Sequence, residues 1–480
     1  MPEFDVIKYM DGEKKQSKSD EGYSDEYRLM KFFDLCQKVK NKVDEIEEKE
    51  LVKDKSLERQ IKALLGEPAE AGYYKNKINQ ILDDMQPSNT WYPVWYSSAA
   101  EAIFAESYGF SGITNWMNGE EGLSFSTSCK IIGENIFYDI NGVLELQPQT
   151  MPAARREQLR STLLLSDPTK DRSRAYHEIY STDGKRITIY TEEGMTKEGQ
   201  DTIVFRRYLE DVSTFEDIAR RGTIPLEAIP LFESMILCGF NTLYTGPPKA
   251  GKSTLMTASQ RCEDPRLEGL CIETDPEIPM HLIMPKAPIM QLVPKDSYMD
   301  EVMSTAKRSD AQYVFLGEAR TGKILDIFLE AANMGNRHSK GTMHNSETID
   351  ISYDIAQKIT RDCGGDLKCT MIKAAKSVHY VFNMFSLPSD RKQKRLKGIW
   401  EMRFDSESMR ITMHQICKYR VLTDDWVWAY TIGEDKKEIG IEENWEAFKQ
   451  FDKLLKELAE NYPNKDKYEF EPAYLKFWRG

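Results

Sequence analysis

The pattern of apolar positions changes several times along this chain of 480 residues, and each change marks a region. From residue 27 to about residue 90, apolar side chains recur at gaps of three and four among Lys and Glu, which is the spacing of amphipathic helices. We predict a helical N-terminal extension at 27–90, whose charged faces either lie in solvent or form a coiled coil with a partner. Residues 1–26 are polar and highly charged, and we expect a charged, flexible tail there.

The next region alternates apolar and polar residues over short stretches, as strands with one buried face do. Segments such as LSFSTSCKIIG and NIFYDINGVLELQP predict strands. Hairpin turns are predicted at Asn141-Gly142 and at the Thr-Asp-Gly of residues 182–184. The pattern is typical of a mixed α/β domain, which we place at 91–205.

Apolar strands then alternate with amphipathic helices, the pattern of a mostly parallel sheet with crossover helices. We place this α/β domain at 206–385. After it come the short strands LKGIWEMRFD, RITMHQICKY and DWVWAYTIG, and then the helix NWEAFKQFDKLLKELAENY. This order predicts a small C-terminal α+β module at 386–480.

Composition narrows the class of protein. The chain is long enough for roughly three domains of about 150 residues, and its 40% apolar and 30% charged residues are globular in balance. The formal net charge of −13 gives no strong nucleic-acid signal, since general binding to a nucleic-acid backbone needs clustered cations. One basic segment, MPAARREQLRSTLLLSDPTKDRSR, leaves a local basic groove open.

Cysteine usage and hydropathy favour a cytoplasmic protein. The eight Cys are scattered without the spacing of a disulfide scaffold, so we expect a reducing compartment. Cys363 and Cys369 are the closest pair, but no second pair completes a zinc site. The N-terminus has no signal-peptide pattern and no run of about eighteen apolar residues occurs. We expect a cytoplasmic protein that docks peripherally on the inner face of a membrane.

The strongest motif is GPPKAGKS at 246–253, which fits G-x-x-x-x-G-K-[ST], the phosphate loop of nucleotide hydrolases. A strand is predicted before it and a helix after it, so that backbone N–H groups converge on phosphate. Lys252 is expected to reach the β- and γ-phosphates of ATP, and Ser253 to ligate Mg²⁺. The predicted nucleotide-binding residues are Gly246, Pro247, Pro248, Lys249, Ala250, Gly251, Lys252, Ser253 and Thr254.

Two further stretches place carboxylates after apolar strands. In YVFLGEAR, Glu318 follows four apolar residues at the carboxyl end of a strand, where open α/β sheets bind ligands. We expect Glu318 to orient or deprotonate the attacking water. In CIETDPEIP, the carboxylates Glu273, Asp275 and Glu277 follow another short strand, and a surface acidic loop is the alternative there. We expect Glu273 and Glu318 to contact Mg²⁺ through water.

The stretch NMGNRHSKGTMHNS contains two of the six His. His338 alone reads as a structural residue. His344 follows the short segment KGTM, and the ending of a central strand there would place it in the site.

These motifs together resemble one family. The order of the phosphate loop, IETDPEI, LGEAR and GTMHNS, after TIVFRRYLEDVSTFEDIARRGTIPLEAIPLF, is similar to the secretion ATPases that power type II and type IV secretion, conjugation and type IV or Tad pili. The Tad/Flp-pilus (CpaF-like) branch is the most similar. The resemblance covers roughly residues 176–379, and four boxes in order are far more specific than one.

The resemblance implies roles for residues at matching positions. Glu273 and Glu277 match the carboxylates of the family's Asp box, Glu318 the Walker B acid, Arg320 the Arg two places later, and His344 the last residue of the His box. It also assigns to a basic pair before the motor domain an approach to the nucleotide phosphates. That pair is Arg206 and Arg207.

Three departures from the family pattern bear on activity. Thr274 stands where the Asp box has its middle Asp, and Asn336 where the His box has its first His. Pro247 and Pro248 remove two backbone donors from the phosphate cradle. We therefore expect phosphate affinity or turnover below that of members with the full set.

The resemblance implies a RecA-like P-loop motor ATPase that uses ATP and Mg²⁺, forms a homo-oligomer, expected to be a hexamer, and works on inner-membrane components of a secretion, pilus or conjugation machine. Two alternatives stay open. One is a P-loop translocase stimulated by nucleic acid. The other is a scaffold that binds nucleotide with little turnover.

Overall fold

A computed structural model of the chain describes residues 25–49, 53–85, 90–120, 122–140, 142–166, 173–181, 185–207, 213–275, 277–294, 298–306, 308–345, 347–472 and 474. The chain divides into two compact units, Met1–Tyr208 and Leu209–Gly480, which we call unit 1 and unit 2. The predicted tail at 1–26 lies almost wholly outside the described residues.

Unit 1 begins with the predicted helical extension. Its first helices bury residues at helical spacing in a common core: Phe32, Cys36, Val39 and Val43 from one helix meet Tyr74 and Ile78 from another. Charged residues such as Asp34, Lys38 and Lys42 are exposed, as the amphipathic pattern predicted, whereas Glu47 is buried. The helices of unit 1 are α1 (Asp25–Lys49), α2 (Lys53–Leu64), α3 (Pro68–Met85), α4 (Ala99–Ser107), α5 (Thr114–Asn118) and α6 (Ala153–Leu165).

The rest of unit 1 is an antiparallel sheet with the strand order β3-β2-β1-β6-β5-β4. Its strands are β1 (Ser128–Ile132), β2 (Asn135–Ile140), β3 (Val143–Thr150), β4 (Tyr176–Tyr180), β5 (Arg186–Tyr190) and β6 (Thr202–Arg206). Strands β2 and β3 pair directly around the predicted turn, with Ile140 opposite Val143 and Gly142 at φ 88°. That hairpin is confirmed. The predicted turn at 182–184 lies outside the described residues.

The sheet of unit 2 has the strand order β15-β14-β13-β12-β7-β11-β10-β8-β9, with β16 pairing beside β14. From β12 to β9 neighbouring strands are parallel, and from β12 to β15 they are antiparallel. The strands are β7 (Thr242–Thr245), β8 (Gly269–Ile272), β9 (Ile289–Leu292), β10 (Tyr313–Leu316), β11 (Lys340–Met343), β12 (Tyr380–Ser386), β13 (Lys394–Asp405), β14 (Arg410–Arg420), β15 (Asp425–Trp428) and β16 (Glu469–Phe470).

Successive residues of the central strands enter different cores. Leu243 and Tyr244 of β7 belong to separate hydrophobic clusters, and so do Val314 and Phe315 of β10. Side chains alternate across a strand, so each cluster lies on one face of the sheet. Burial on both faces explains why these strands are continuous apolar runs in the sequence.

Helices of unit 2 cover that sheet. They are α7 (Phe215–Arg220), α8 (Ile229–Ile236), α9 (Lys252–Gln260), α10 (Met280–Ile283), α11 (Met299–Ala306), α12 (Gly322–Asn333), α13 (Ile351–Cys363), α14 (Leu367–Ser377) and α15 (Glu434–Asn461). Strand β7, the 246–251 loop and α9 follow each other as the phosphate-loop motif predicted. The α/β fold class is thereby confirmed.

The residues of the predicted C-terminal module continue the same sheet. Strand β13 pairs with β12, and α15 contributes Phe448 and Phe451 to the cluster that contains Tyr244. Helix α15 is longer than predicted and breaks at Asn444, whose backbone has φ −154° and ψ 93°. The Oδ1 of Asn444 accepts from the N–H of Ala447 at 3.1 Å, so this side chain caps the second half of the helix.

Among the helices in the described ranges, none is both long enough and apolar enough to cross a lipid bilayer.

Candidate nucleotide-binding site

The phosphate loop is fixed at both ends by glycine. Gly246 has φ 139°, and a Cβ built on it would lie 2.1 Å from the carbonyl oxygen of Met384. Gly251 has φ 86° and immediately precedes helix α9. Both conformations are strained for a residue with a side chain, and the first also has no room for one. The glycines of the motif are therefore required by backbone geometry.

Between these glycines the loop has an exposed crest. Pro247, Pro248 and Lys249 are exposed while Ala250 is buried, and Lys249 has φ 61°. Helix α9 begins after it, and the first N–H groups of a helix have no partner within the helix. The two prolines contribute no N–H groups, so the donors of the cradle are restricted to the second half of the loop and the start of α9, which includes Ser253.

Lys252 is folded back onto its own loop. Its side chain is buried, and Nζ donates to the carbonyl of Pro247 at 2.9 Å. Nζ also lies 3.3 Å from Nδ1 of His344. Burial lowers the pKa of this ammonium to about 8, against the opposing attraction of Glu318 and Glu277. The ammonium of Lys252 is therefore bound by the phosphate loop itself.

His344 joins the phosphate loop to the acid of the next strand. It follows the last residue of β11, and its Nδ1 lies 3.1 Å from the carbonyl oxygen of Gly246. Its Nε2 lies 2.9 Å from Oε1 of Glu318. The ring of His344 therefore links the carbonyl of Gly246 to the carboxylate of Glu318.

Glu318 lies at the carboxyl end of β10 and is held by cations. Its Oε2 accepts from Nη2 of Arg320 at 2.7 Å. Burial favours a higher pKa for this carboxyl, but the hydrogen bond and charge of Arg320, with the charges of His344 and Lys252, hold the pKa below its usual value. Arg320 Nη1 also lies 3.5 Å from Asp275, so the carboxylates of β8 and β10 share one arginine.

Glu273 is a different kind of acid. It is 4% exposed, and its Oε1 accepts from the N–H groups of Glu277 at 3.1 Å and Ile278 at 2.9 Å. Burial raises its pKa to about 8 despite those two bonds. A Cβ on Gly317 would lie 2.9 Å from its Cγ, so a glycine before Glu318 makes room for this side chain. Glu273 closes the loop after β8 and is protonated at neutral pH.

The structure therefore brings together Lys252, His344, Glu318 and Arg320 beside the phosphate loop, with Asp275 and Glu273 behind them. Asn336 lies at the other end of the sheet: its Nδ2 donates to the carbonyl of Ala311 at 2.7 Å, before strand β10 begins. Thr274 follows β8 and is half-buried.

His338 also lies at the far end of the sheet, in a buried polar cluster. Its Nδ1 lies 2.6 Å from Oε1 of Glu263, and its Nε2 lies 3.1 Å from Oε1 of Glu443 on α15. Lys340 Nζ donates to the other oxygen of Glu263. His338 is structural here, as its lone position suggested.

Arg206 and Arg207 belong to unit 1 and differ in their surroundings. The guanidinium of Arg207 lies 4.5 Å from the ring centroid of Trp116, donates to the carbonyl of Trp116 and donates to that of Leu123 at 2.9 Å. It thereby caps the end of α5. Arg206 is half-exposed, and its side chain has no hydrogen bond or ion pair among the residues that the structure describes.

No group of three or more His, Cys, Asp and Glu side chains that could bind a metal unaided occurs in the described ranges. A magnesium ion here would take oxygen ligands from phosphates and water as well as from Ser253.

One contact of the site had no sequence signal. Asn383 on β12 donates to Oγ1 of Thr245 at 3.0 Å, directly before Gly246. Thr342 Oγ1 donates to the carbonyl of Gly317 at 2.5 Å and so ties β11 to the turn that carries Glu318. Thr342 lies within the GTMHNS motif and could have been predicted from it, whereas Asn383 lies outside every motif of the sequence analysis.

Comparisons with known proteins give only distant likenesses. No protein-family model matches the chain, and no curated protein matches its sequence. Among solved structures, the Brucella suis type IV secretion VirB11 ATPase is 16% identical at a TM-score of 0.32, covering 57% of this chain and 89% of its own. The Legionella pneumophila ATPase DotB is 16% identical at 0.44, covering 77% and 90%. The pilus retraction motor PilT with bound ADP is 14% identical at 0.40, covering 68% and 85%. Likenesses of this size say nothing about what the chain does.

Proposed function

We propose that this chain is an ATPase that binds ATP with Mg²⁺ at the 246–254 loop and hydrolyses it. The observation that carries the proposal is the meeting of Lys252, His344 and Glu318 at the carboxyl ends of three neighbouring parallel strands, β7, β11 and β10. Ligands of open α/β sheets bind at that edge. A cation for phosphate and an acid for water lie within one hydrogen-bonded chain there.

The residues present fit a nucleotide and a magnesium ion. The backbone at Gly246 approaches Met384 too closely for any side chain, and the start of α9 presents N–H groups to an anion. Ser253 stands at the second position of α9, where its hydroxyl would hold Mg²⁺, with Glu318 acting through water, while the protonated Glu273 lies behind it. The ion would neutralise charge on the phosphates.

The chain's own groups then supply the chemistry. Lys252 leaves the carbonyl of Pro247 and binds the β- and γ-phosphates. Glu318 orients the attacking water and accepts its proton as the oxygen–phosphorus bond to the γ-phosphate forms and the bond to the β–γ bridging oxygen breaks. His344 donates to Glu318 and so fixes the direction of that carboxylate. The same ring contacts the ammonium of Lys252.

The work done with this energy is proposed from the order of the four boxes. Their resemblance to secretion ATPases supports a motor of a secretion, pilus or conjugation machine, with the Tad/Flp-pilus branch the nearest in motif. Such a motor works as a homo-oligomer, a hexamer in this proposal, at the inner face of a membrane. By the same resemblance, Arg206 supplies positive charge to the nucleotide phosphates, whereas Arg207 is bound by carbonyls of unit 1.

A scaffold that binds nucleotide without turning it over is the second candidate. Two observations favour it: Pro247 and Pro248 reduce the donors of the cradle, and Lys252 is engaged by the loop itself. Slow turnover with firm binding would select this function over the motor.

The test is a steady-state assay of phosphate release from ATP with Mg²⁺. We expect turnover by the purified chain and none by Lys252→Ala, which loses the charge aimed at the phosphates. Lys437→Ala is the matched control, because its ammonium pairs only across one exposed turn with Glu434 among the described contacts. Undiminished activity in Lys252→Ala would overturn the proposal.

A further inference from the structure

A basic hairpin lies beside the phosphate loop on the side away from Glu318. It joins β12 to β13 through residues 387–393, and it closes where the N–H of Leu387 donates to the carbonyl of Gln393 at 3.0 Å. Strand β12 is parallel to β7, with Asn383 opposite Thr245. The hairpin therefore extends from the same carboxyl edge of the sheet as the phosphate loop.

The contact between hairpin and loop is close at both glycines. The carbonyl of Met384 leaves no room for a Cβ at Gly246. At the other glycine, a Cβ built on Gly251 would lie 3.7 Å from Cγ of Lys394 and 3.8 Å from its Cβ. The aliphatic part of the Lys394 side chain therefore lies next to Gly251, the residue directly before α9.

The ammonium of Lys394 lies in the turn of the hairpin. It donates to Oγ of Ser386 at 2.9 Å and to the carbonyl of Arg391. Arg391 and Lys392 are exposed next to it. A phosphate oxygen would accept a stronger hydrogen bond from this ammonium than either of these two oxygens does, because hydrogen bonds between two charged groups are stronger than bonds to neutral acceptors.

The order of strands gives the direction of a bound nucleotide. Glu318 and His344 end β10 and β11, on one side of β7, while the hairpin follows β12 on the other side. The bond that is hydrolysed lies near Glu318. A polyphosphate that runs along the loop from Glu318 across β7 has its α-phosphate on the side of β12 and its hairpin.

We propose that Lys394 is a second lysine of the nucleotide site and binds the polyphosphate from its α-phosphate side. This inference rests on the proposed function, because it needs a nucleotide in the 246–254 loop. Lys394 contributes to binding of ADP and ATP alike and leaves the chemical step to Glu318. Serving as a ground-state ligand, it changes KM and leaves kcat nearly unchanged.

The test measures the affinity of purified full-length protein for MgADP and MgATP by calorimetry. We expect Lys394→Gln to weaken both about tenfold, the size of one charged hydrogen bond. Lys394→Arg keeps the charge and should stay close to wild type. The matched control is Lys418→Gln, since Lys418 on β14 pairs with Asp466 at 2.5 Å and β14 is not a neighbour of β7 in the sheet.

A second measurement needs no variant. Lysine acylation followed by mass spectrometry should show Lys394 protected by saturating MgADP and Lys418 unprotected. Unchanged affinity in Lys394→Gln, unchanged acylation of Lys394, or a loss for ATP alone would each overturn the inference. Wild-type protein that binds no nucleotide would instead overturn the proposed function.

Discussion

Nε2 of His344 lies 2.9 Å from Oε1 of Glu318. Each residue follows a short parallel strand, and the register of those strands, with Phe315 beside Lys340 and Leu316 beside Gly341, sets the distance between them. The sheet, which is buried on both faces, therefore positions this pair. A group positioned by a rigid sheet needs little reorganisation when the reaction occurs.

Glu318→Gln should keep nucleotide bound and lose most hydrolysis. The amide retains the shape of the side chain and can still accept from Arg320, but it takes no proton. We expect a loss in kcat of about 10²- to 10⁴-fold, the usual contribution of a general base. Binding of MgATP by calorimetry and phosphate release measure the two effects separately. Glu268→Gln is the control, because Glu268 is exposed and precedes β8, at the edge of the sheet opposite the carboxyl ends of the strands. Wild-type turnover in Glu318→Gln would place the base elsewhere.

Glu273→Gln should keep turnover near wild type at pH 7, because the raised pKa of about 8 means that this acid is already protonated there. The folded state binds the proton more tightly than the unfolded chain, whose pKa is near 4.5. Wild-type stability from this group therefore falls as pH rises from about 4.5 through about 8, by on the order of 1.4 kcal/mol per pKa unit. Melting temperatures of both proteins at pH 5, 7 and 9 should converge at low pH and separate at high pH. A loss of turnover as large as that of Glu318→Gln would instead make Glu273 the base.

Arg206 and Arg207 should separate into a functional and a structural residue. Arg206→Ala should slow ATP turnover by about 10³-fold, the effect of removing an arginine that stabilises the charge of the transition state, with affinity and melting temperature kept. Arg207→Ala should lower stability by about 1–3 kcal/mol, because the carbonyls it caps lose their donor. Thermal melting and turnover of each single variant decide this. Normal turnover in Arg206→Ala would remove it from the mechanism.

Lys340→Met should destabilise unit 2 strongly, because it leaves the buried carboxylate of Glu263 without its ammonium. Breaking a buried pair on one side costs about 3–5 kcal/mol. Lys373→Met is the matched control, since Lys373 pairs with Glu330 and, at 3.4 Å, with Asp326 in a partly exposed position, where about 0–1 kcal/mol per pair is usual. Chemical denaturation gives both values. Equal effects in the two variants would contradict a charged Glu263.

The central strands could be predicted from sequence because burial on both faces of a sheet favours a recognisable pattern of residues. Segments YVFL and KGTM are strands in the structure, at Tyr313–Leu316 and Lys340–Met343. Each is buried on both faces, and a short continuous apolar run such as YVFL is typical of such a strand. KGTM departs from that pattern at Lys340, whose buried charge is paired with Glu263. The phosphate-loop strand and helix were predictable for a related reason, since the motif itself demands them.

The start of helix α15 could not be predicted from the sequence. Its predicted start was Asn444, but it begins at Glu434 and continues past a break. The first half is rich in charge and contains Gly440, an unfavourable residue for a helix interior. Gly440 is explained by the fold: a Cβ there would lie 2.5 Å from the ring of Phe448. Local pattern alone carries no information about that approach.

The site was predictable where its residues lie in motifs. Lys252, Glu318 and His344 could be named because each ends or follows a recognisable strand, although their distances could not. The support from β12 was not predictable, because Asn383 and Lys394 meet the loop only through a parallel strand distant in sequence. The different surroundings of Arg206 and Arg207 could not be predicted from sequence either, since Trp116, which contacts Arg207, lies in another element.

Because Lys252 donates to the carbonyl of Pro247, this carbonyl competes with a bound phosphate for the ammonium. A phosphate that enters must displace an internal acceptor before it gains the lysine. The affinity measured for any nucleotide is then the intrinsic affinity reduced by the fraction of molecules in which the ammonium is free. A ligand whose several oxygens each gain a hydrogen bond from the loop and the start of α9 offsets this cost more fully than a ligand that gains a single bond.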